Sequence, residues 1–205
     1  MINMKKANVA VLVSGGGTNL QALIDAHSRG EMEHVKLSVV ISSSRNAHAI
    51  QRAKHAGIRV YTASPKEYPD EEFENIMLRL FQKFNIDLVV LGGYLPILSK
   101  NFVNLYSKRI IGVHPSLFPN FCGKGMYGLH VHEAVLKSGV SFTGATVYFI
   151  NEVLDGGDII FQQKVEVKED DTPETLQKRV MEKAEWILLP RATEMLAKQI
   201  CLTKQ

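Results

Sequence analysis

Four short runs crowded with valine, isoleucine and leucine set the strongest limit on what this chain can fold into. They are residues 8–13 (NVAVLV), 35–41 (VKLSVVI), 58–61 and 87–91 (DLVVL), and none keeps up the polar alternation of a half-exposed strand. Such strands are buried on both faces, as in a parallel sheet covered by helices. Between them lie stretches with helical spacing: Leu20, Leu23 and Ile24 in a helix reaching about Ser28, then residues 47–56, then 70–84. In the last of these, Phe73, Ile76, Met77, Leu80 and Phe81 share one side. This alternation of strand and helix predicts an α/β fold, doubly wound, with a mostly parallel sheet.

The pattern changes in the second half. Residues 109–113 (RIIGV) form a strand that ends at His114 and Pro115, and a loop with Gly123, Gly125 and Gly128 leads to a short helix near 132–136. Two further strands, 145–150 and 158–167, are joined by the turn-forming segment 151–157. A parallel crossover needs about a dozen residues or more, so this pair is expected to be antiparallel. Thr172 and Pro173 offer an N-cap and a proline at the first helical position, opening a long C-terminal helix to about Ile200, with a kink expected at Pro190. No linker, repeat or low-complexity segment interrupts the chain, and a single domain over residues 1–205 is expected. Hydrophobic residues make up 45% and charged residues 22%, the balance of a globular chain with a full core. No run approaches the roughly 18 apolar residues of a membrane span, and the N-terminal apolar stretch reads as a first strand rather than a signal peptide. Two cysteines, Cys122 and Cys201, are too few for a disulfide framework and suit a reducing cytoplasm. A net charge of +3 does not point to nucleic acid and fits anionic small-molecule substrates.

Several features can carry chemistry. Ser14-Gly15-Gly16-Gly17-Thr18-Asn19 joins a strand to a helix, where glycines let the backbone approach a phosphate and the helix N-terminus offers free N–H groups. It is no P-loop, and the second strand lacks the acid of a dinucleotide fingerprint; a plain tight turn is the other reading. His114 stands at the C-terminal end of a strand, where open α/β sheets bind ligands, and can donate to an oxyanion or move a proton near neutral pH. Asp155, in Leu154-Asp155-Gly156-Gly157, can orient and charge an imidazole or simply serve its own turn. His130 and His132 raise the question of metal. With two cysteines and no His-Glu-x-x-His the sequence makes no case for it. Cys122 has no base nearby, Lys124 is a mobile anion contact or a solvated charge, and Glu182 and Glu185 cannot be told apart by spacing.

Taken together, residues 10–21 (AVLVSGGGTNLQ), 92–99 (GGYLPILS), 114–125 (HPSLFPNFCGKG) and 154–157 (LDGG) resemble glycinamide ribonucleotide formyltransferases, in that family's order and spacing along essentially the whole chain. The resemblance implies formyl transfer from 10-formyltetrahydrofolate, as co-substrate, to the amine of glycinamide ribonucleotide in purine synthesis. It implies that Gly17, Thr18 and Asn19 hold the ribose phosphate and that Glu185 contacts the same substrate. Leu95, Pro96, Ile97 and Leu98 would line the folate pocket, with Gly112 on the same cofactor side. His114 would stabilise the tetrahedral oxyanion and relay protons, with Asp155 raising its pKa. No metal, nucleic acid, membrane or covalent enzyme intermediate is implied, and the enzyme is expected as a monomer or homodimer.

Departures accompany the resemblance. The family's Asn-x-His-Pro-Ser reads Gly112-Val113-His114-Pro115-Ser116 here, removing an amide whose loss typically costs about 10²–10³ in rate. A water in the space left by Gly112 is expected to replace that amide poorly, and Gly112→Asn to raise the rate by at least roughly tenfold. A second family histidine falls on Tyr148, a folate-pocket arginine on Pro96, and an arginine before the third helix has no counterpart, Lys66 being the nearest cation. These changes keep two alternatives open: a catalytically impaired binder of folate or ribonucleotide, and an N-formyltransferase acting on a sugar-nucleotide amine. Related enzymes that formylate methionyl-tRNA or hydrolyse formyl-folate carry additional domains that this chain is expected to lack.

Overall fold

The computed structural model describes residues 5–68 and 72–204. Strand β1 (Ala7–Val13) is followed by helix α1 (Thr18–Ser28), β2 (Val35–Ser42), α2 (Ala49–His55), β3 (Val60–Thr62), α3 (Glu72–Lys83) and β4 (Leu88–Leu91). Then come α4 (Lys100–Leu105), β5 (Ile110–His114), α5 (Leu129–Ser138), β6 (Phe142–Phe149), β7 (Ile159–Glu166), α6 (Pro173–Val180) and α7 (Trp186–Thr203). The expected start of the third helix at Asp70 lies outside the described residues.

One seven-stranded sheet runs in the order β3-β2-β1-β4-β5-β6-β7. Pairings among β1 to β5 are parallel, whereas β6 is antiparallel to both β5 and β7. The sheet is therefore doubly wound and mostly parallel with an antiparallel C-terminal edge, as the sequence predicts. Its two faces sort by residue parity. Val9, Val11 and Val13 pack against α1, α2 and α7, while Ala10 and Leu12 face Phe73, Met77, Phe81 and Phe102 from α3 and α4. Full burial on both sides is why β1 reads as an unbroken apolar run. A third cluster beneath α5 and α6 joins Val135, Ala145, Val165, Leu176 and Val180.

Two elements differ from expectation. Helix α4 leaves no periodic signal in the sequence: it is six residues long, held at its start by the Ser99 hydroxyl, which accepts from Phe102 N–H. The long C-terminal helix forms as expected but carries an unexpected π-turn over Met181–Glu185, which divides it into α6 and α7. Thr172 caps α6 as expected, in a reciprocal box with Thr175, and Pro173 follows it. The interruption falls just before Pro190 rather than at it, for a local reason. Proline lacks the N–H that would bond the carbonyl four residues back, and its ring pushes that carbonyl away. That carbonyl belongs to Trp186, whose ψ of −9° marks the end of the π-turn. No helix among the described residues is long and apolar enough to cross a membrane.

Strand order reverses between β1 and β4, and at such a switch point the loops leaving the strand C-termini part to form a crevice. The glycine turn after β1, the segment after β4 and His114 at the end of β5 all open there.

Candidate active site

The crevice is a cleft of about 490 Å³ whose walls include Thr18, Asn19, Gly112, His114, Asp155 and Glu185. Leu95, Pro96, Ile97 and Leu98 line it as well, so the cleft gathers every predicted site residue except Gly17. A larger groove of about 650 Å³ lies away from this chemistry, between α1 and α2, lined in part by His27, Lys36, His48 and Arg52.

The glycine turn shapes one end. Gly17 has φ +73°, and a Cβ there would sit 2.6 Å from the Ala49 Cβ, so conformation and space both require glycine. It is the N-cap residue of α1, with no side-chain cap and no acid in the first turn. The first N–H groups of α1 have no intrahelical partners and, with the helix dipole, favour an anion. From behind, Arg52 holds the turn through the Gly16 carbonyl at 2.9 Å. Asn19 is buried and donates from Nδ2 to Glu185 Oε2 at 2.9 Å, while its own Oδ1 has no partner. Glu185 is 6% exposed and its carboxyl is pushed up to about 6, by burial opposed by the Asn19 hydrogen bond. Glu182, the acid that spacing could not separate from it, lies exposed near Lys178. The π-turn accounts for the difference, since the extra residue turns Glu185 inward to face Asn19. Helix bulges of this kind recur at functional sites.

The opposite end is the segment after β4, tied down at several points. The Ser14 hydroxyl accepts from Leu95 N–H at 2.9 Å, and Glu74 accepts from both the backbone N–H and the hydroxyl of Ser99. Between these ties Leu95 and Ile97 are exposed, as are Tyr127, Val153 and Leu154 elsewhere on the rim of the cleft. Apolar side chains left open on a fixed loop fit a flat heteroaromatic ligand better than a charged one.

His114 and Asp155 meet between the two ends. Both side chains are 8% exposed, and His114 Nδ1 lies 3.9 Å from Asp155 Oδ2, close enough for charges to interact and too far for a direct hydrogen bond. The other ring nitrogen, Nε2, is 2.8 Å from the Phe121 carbonyl. A carbonyl only accepts, which assigns the proton to Nε2 and leaves Nδ1 facing the carboxylate. Asp155, in the left-handed region at φ +53°, is clamped by Gly123 N–H at 2.7 Å and the Tyr148 hydroxyl at 2.6 Å. Next to it, a Cβ on Gly157 would lie 1.6 Å from the Phe149 carbonyl oxygen, so the second glycine of LDGG admits no side chain.

The clamp from Tyr148 escapes sequence reasoning, because it depends on register across β5 and β6. Gly112 stands directly opposite Tyr148 in that register. A Cβ at 112 would meet Ile150 Cδ1 at 3.0 Å and the Tyr148 ring at 3.7 Å. A side chain at 112 would need the Ile150 methyl to give by a few tenths of an ångström, while the Tyr148 ring lies at ordinary van der Waals distance. Burial, followed by the bond to Asp155, pushes the Tyr148 phenol far up and keeps it a donor. Cys122 is also raised by burial and by Asp155, which suits a packing role rather than a nucleophile. His130 is exposed beside Glu133, whereas His132 is completely buried, so the two never face one site. Lys124 lines the cleft.

Residues 7–193 match the formyl transferase family. The chain is 40% identical over 194 residues to the trifunctional purine biosynthetic protein adenosine-3 of Homo sapiens, which covers 94% of this chain and 18% of that protein. It is 36% identical over 180 residues to the phosphoribosylglycinamide formyltransferase of Haemophilus influenzae, covering 87% of this chain and 81% of that enzyme. Glycinamide ribonucleotide transformylase 1 from Symbiobacterium toebii superposes with a TM-score of 0.87 at 33% identity, over 95% of this chain and 89% of that one. The chain spans about a fifth of the length of the trifunctional relatives it matches.

Proposed function

The chain belongs to the formyl transferase family, and from there we propose that it moves a formyl group from 10-formyltetrahydrofolate to the amine of glycinamide ribonucleotide, a step of purine biosynthesis. The observation that carries this reading is the joining, in one cleft, of an uncapped helix N-terminus and a buried acid with a histidine held beside a clamped aspartate. The N–H groups of Thr18 and Asn19, following Gly17, take the phosphate, and Glu185 accepts from the ribose hydroxyls. The folate lies against Leu95, Pro96, Ile97 and Leu98, with Gly112 at the back of that side. When bound, the folate supplies the activated formyl carbon that the amine attacks.

The chain's own part is to align, to hold charge and to handle a proton. Holding both substrates at two ends of one cleft turns a bimolecular encounter into a local one. The amine must lose a proton as it forms the new bond, and His114 offers Nδ1 to take it. The resulting imidazolium faces Asp155, which Gly123 and Tyr148 hold in place. His114 and Asp155 are accordingly proposed as the catalytic pair. We propose the cytoplasm as its compartment on the strength of two free cysteines.

The test is direct transfer of formyl from 10-formyltetrahydrofolate to glycinamide ribonucleotide, with a sugar-nucleotide amine as the competing acceptor. Turnover with the ribonucleotide alone is expected, together with a loss of at least about 10²-fold in His114→Ala. Transfer only to the sugar nucleotide would change the substrate, and tight folate binding without any transfer would leave an impaired relative.

A further inference from the structure

His132 has no role in the transfer as proposed above, yet it is the most anomalous polar residue in the cleft. It lies in the first turns of α5, is fully buried, and neither Nδ1 nor Nε2 has a hydrogen-bond partner among the described residues. A buried polar group without a partner is costly, and its retention calls for a specific explanation such as a ligand that completes it. The ring lines the same cleft as His114, Asn19 and Gly112. Burial, followed by the nearby His114 imidazole, pushes His132 down to about 4. At neutral pH it is therefore uncharged, with one N–H to donate and one bare nitrogen.

Two other donors around the reacting centre are engaged. The Tyr148 hydroxyl is given to Asp155, and His114 Nε2–H to the Phe121 carbonyl. Gly112 brings no side-chain donor at all. We infer that His132 is a further catalytic residue, whose ring N–H donates to the formyl oxygen as that oxygen gathers negative charge. This role rests on the proposed formyl transfer. As the amine nitrogen bonds to the formyl carbon, the carbonyl π pair moves onto oxygen and meets the His132 N–H. The pair returns to the carbon as its bond to the folate nitrogen breaks, and that nitrogen leaves with the proton His114 took from the amine. His132 keeps its own proton throughout, as a donor held in a water-poor site should. A neutral imidazole near a helix N-terminus is known to polarise a carbonyl in this manner.

The experiment compares wild type, His132→Phe and His132→Gln in steady-state formyl transfer, with thermal melts of all three. Phenylalanine keeps the ring and removes both nitrogens, while glutamine restores an N–H. We expect His132→Phe to lower kcat by about 10²–10³ with little change in either KM, and His132→Gln to recover at least about tenfold of the loss. His132→Phe should melt no lower than wild type, since it removes an unpaired polar group. If phenylalanine does not fold there, His132→Leu and His132→Gln carry the same comparison. A raised KM for the ribonucleotide with kcat intact would make His132 a ground-state contact and overturn the proposal, as would an unchanged rate. An inactive wild type sinks the functional reading and this proposal together, whereas an active wild type with a fast His132→Phe sinks this proposal alone.

Discussion

Glu185 is a carboxylate enclosed by protein with the Asn19 amide as its partner, and burial raises it to about 6. Its proton is bound more tightly in the folded chain than in the unfolded one. The folded state is therefore favoured by this group below the ordinary carboxylate range, and that advantage disappears as pH rises toward about 6. Substrate binding runs the other way, because an ionised carboxylate accepts from ribose hydroxyls and a protonated one accepts less well. The KM for ribonucleotide should thus climb several-fold as pH falls from about 7.5 to about 5.5, and Glu185→Gln should raise KM and flatten the profile. Equal KM values at both pH values in wild type would count against this role. Legibility is uneven among the site residues. His114, Asp155 and Asn19 stand in short patterns that carry their own context, whereas only the family resemblance separates Glu185 from Glu182. Tyr148 and His132 stand in no such pattern, since one acts through a cross-strand partner and the other matters because it is buried without partners among the described residues.

Among the elements, α6 is fastened by Asp171. Its carboxylate accepts from Lys168 N–H, from Thr175 and from both terminal nitrogens of Arg179, and its side chain is 1% exposed. The Arg179 guanidinium, foremost among these, holds the Asp171 carboxyl well below the usual range. Its contribution to stability is full above the ordinary carboxylate range and is lost progressively as pH falls from there through the lowered folded value. Asp171→Ala should therefore destabilise the protein by about 2 kcal/mol, equally at about pH 7 and pH 5, in denaturant titrations. A cost near zero at both pH values would mean that the carboxyl is not held so low. The strands are legible because burial on two faces leaves an apolar run no polar neighbour could imitate. Helix α4 is hidden by its length, which is too short for a period to declare itself. The break between α6 and α7 is half visible: Pro190 marks that a disturbance exists, but the carbonyl it displaces lies four residues earlier.

For the molecule as a whole, periodicity gives the class of sheet but not the order of its strands, because each run records only its own burial. The order β3-β2-β1-β4-β5 decides where the crevice opens, and only the motifs hint at it. If the two substrates take opposite ends of one cleft formed by loops from several strands, as proposed, binding should tighten the folded state globally. Ribonucleotide at about 100 times its Kd should add about 2.7 kcal/mol. For a chain of this size that is a rise of roughly 5–10 °C in Tm, with a further rise on adding folate. A melt unmoved by ribonucleotide would show that the phosphate end is not formed.

The π-turn at Met181–Glu185 has a consequence for how this chain tolerates insertions and deletions. A π-turn is an α-helix carrying one residue more than its period allows. Removing a single residue there would restore regular winding and rotate α6 by about 100° relative to α7. Glu185 and the apolar faces of α6 and α7 could then no longer all be served at once. The correct alignment is written as an off-count in the chain, so a lineage that lost that residue would keep a better helix and a worse enzyme.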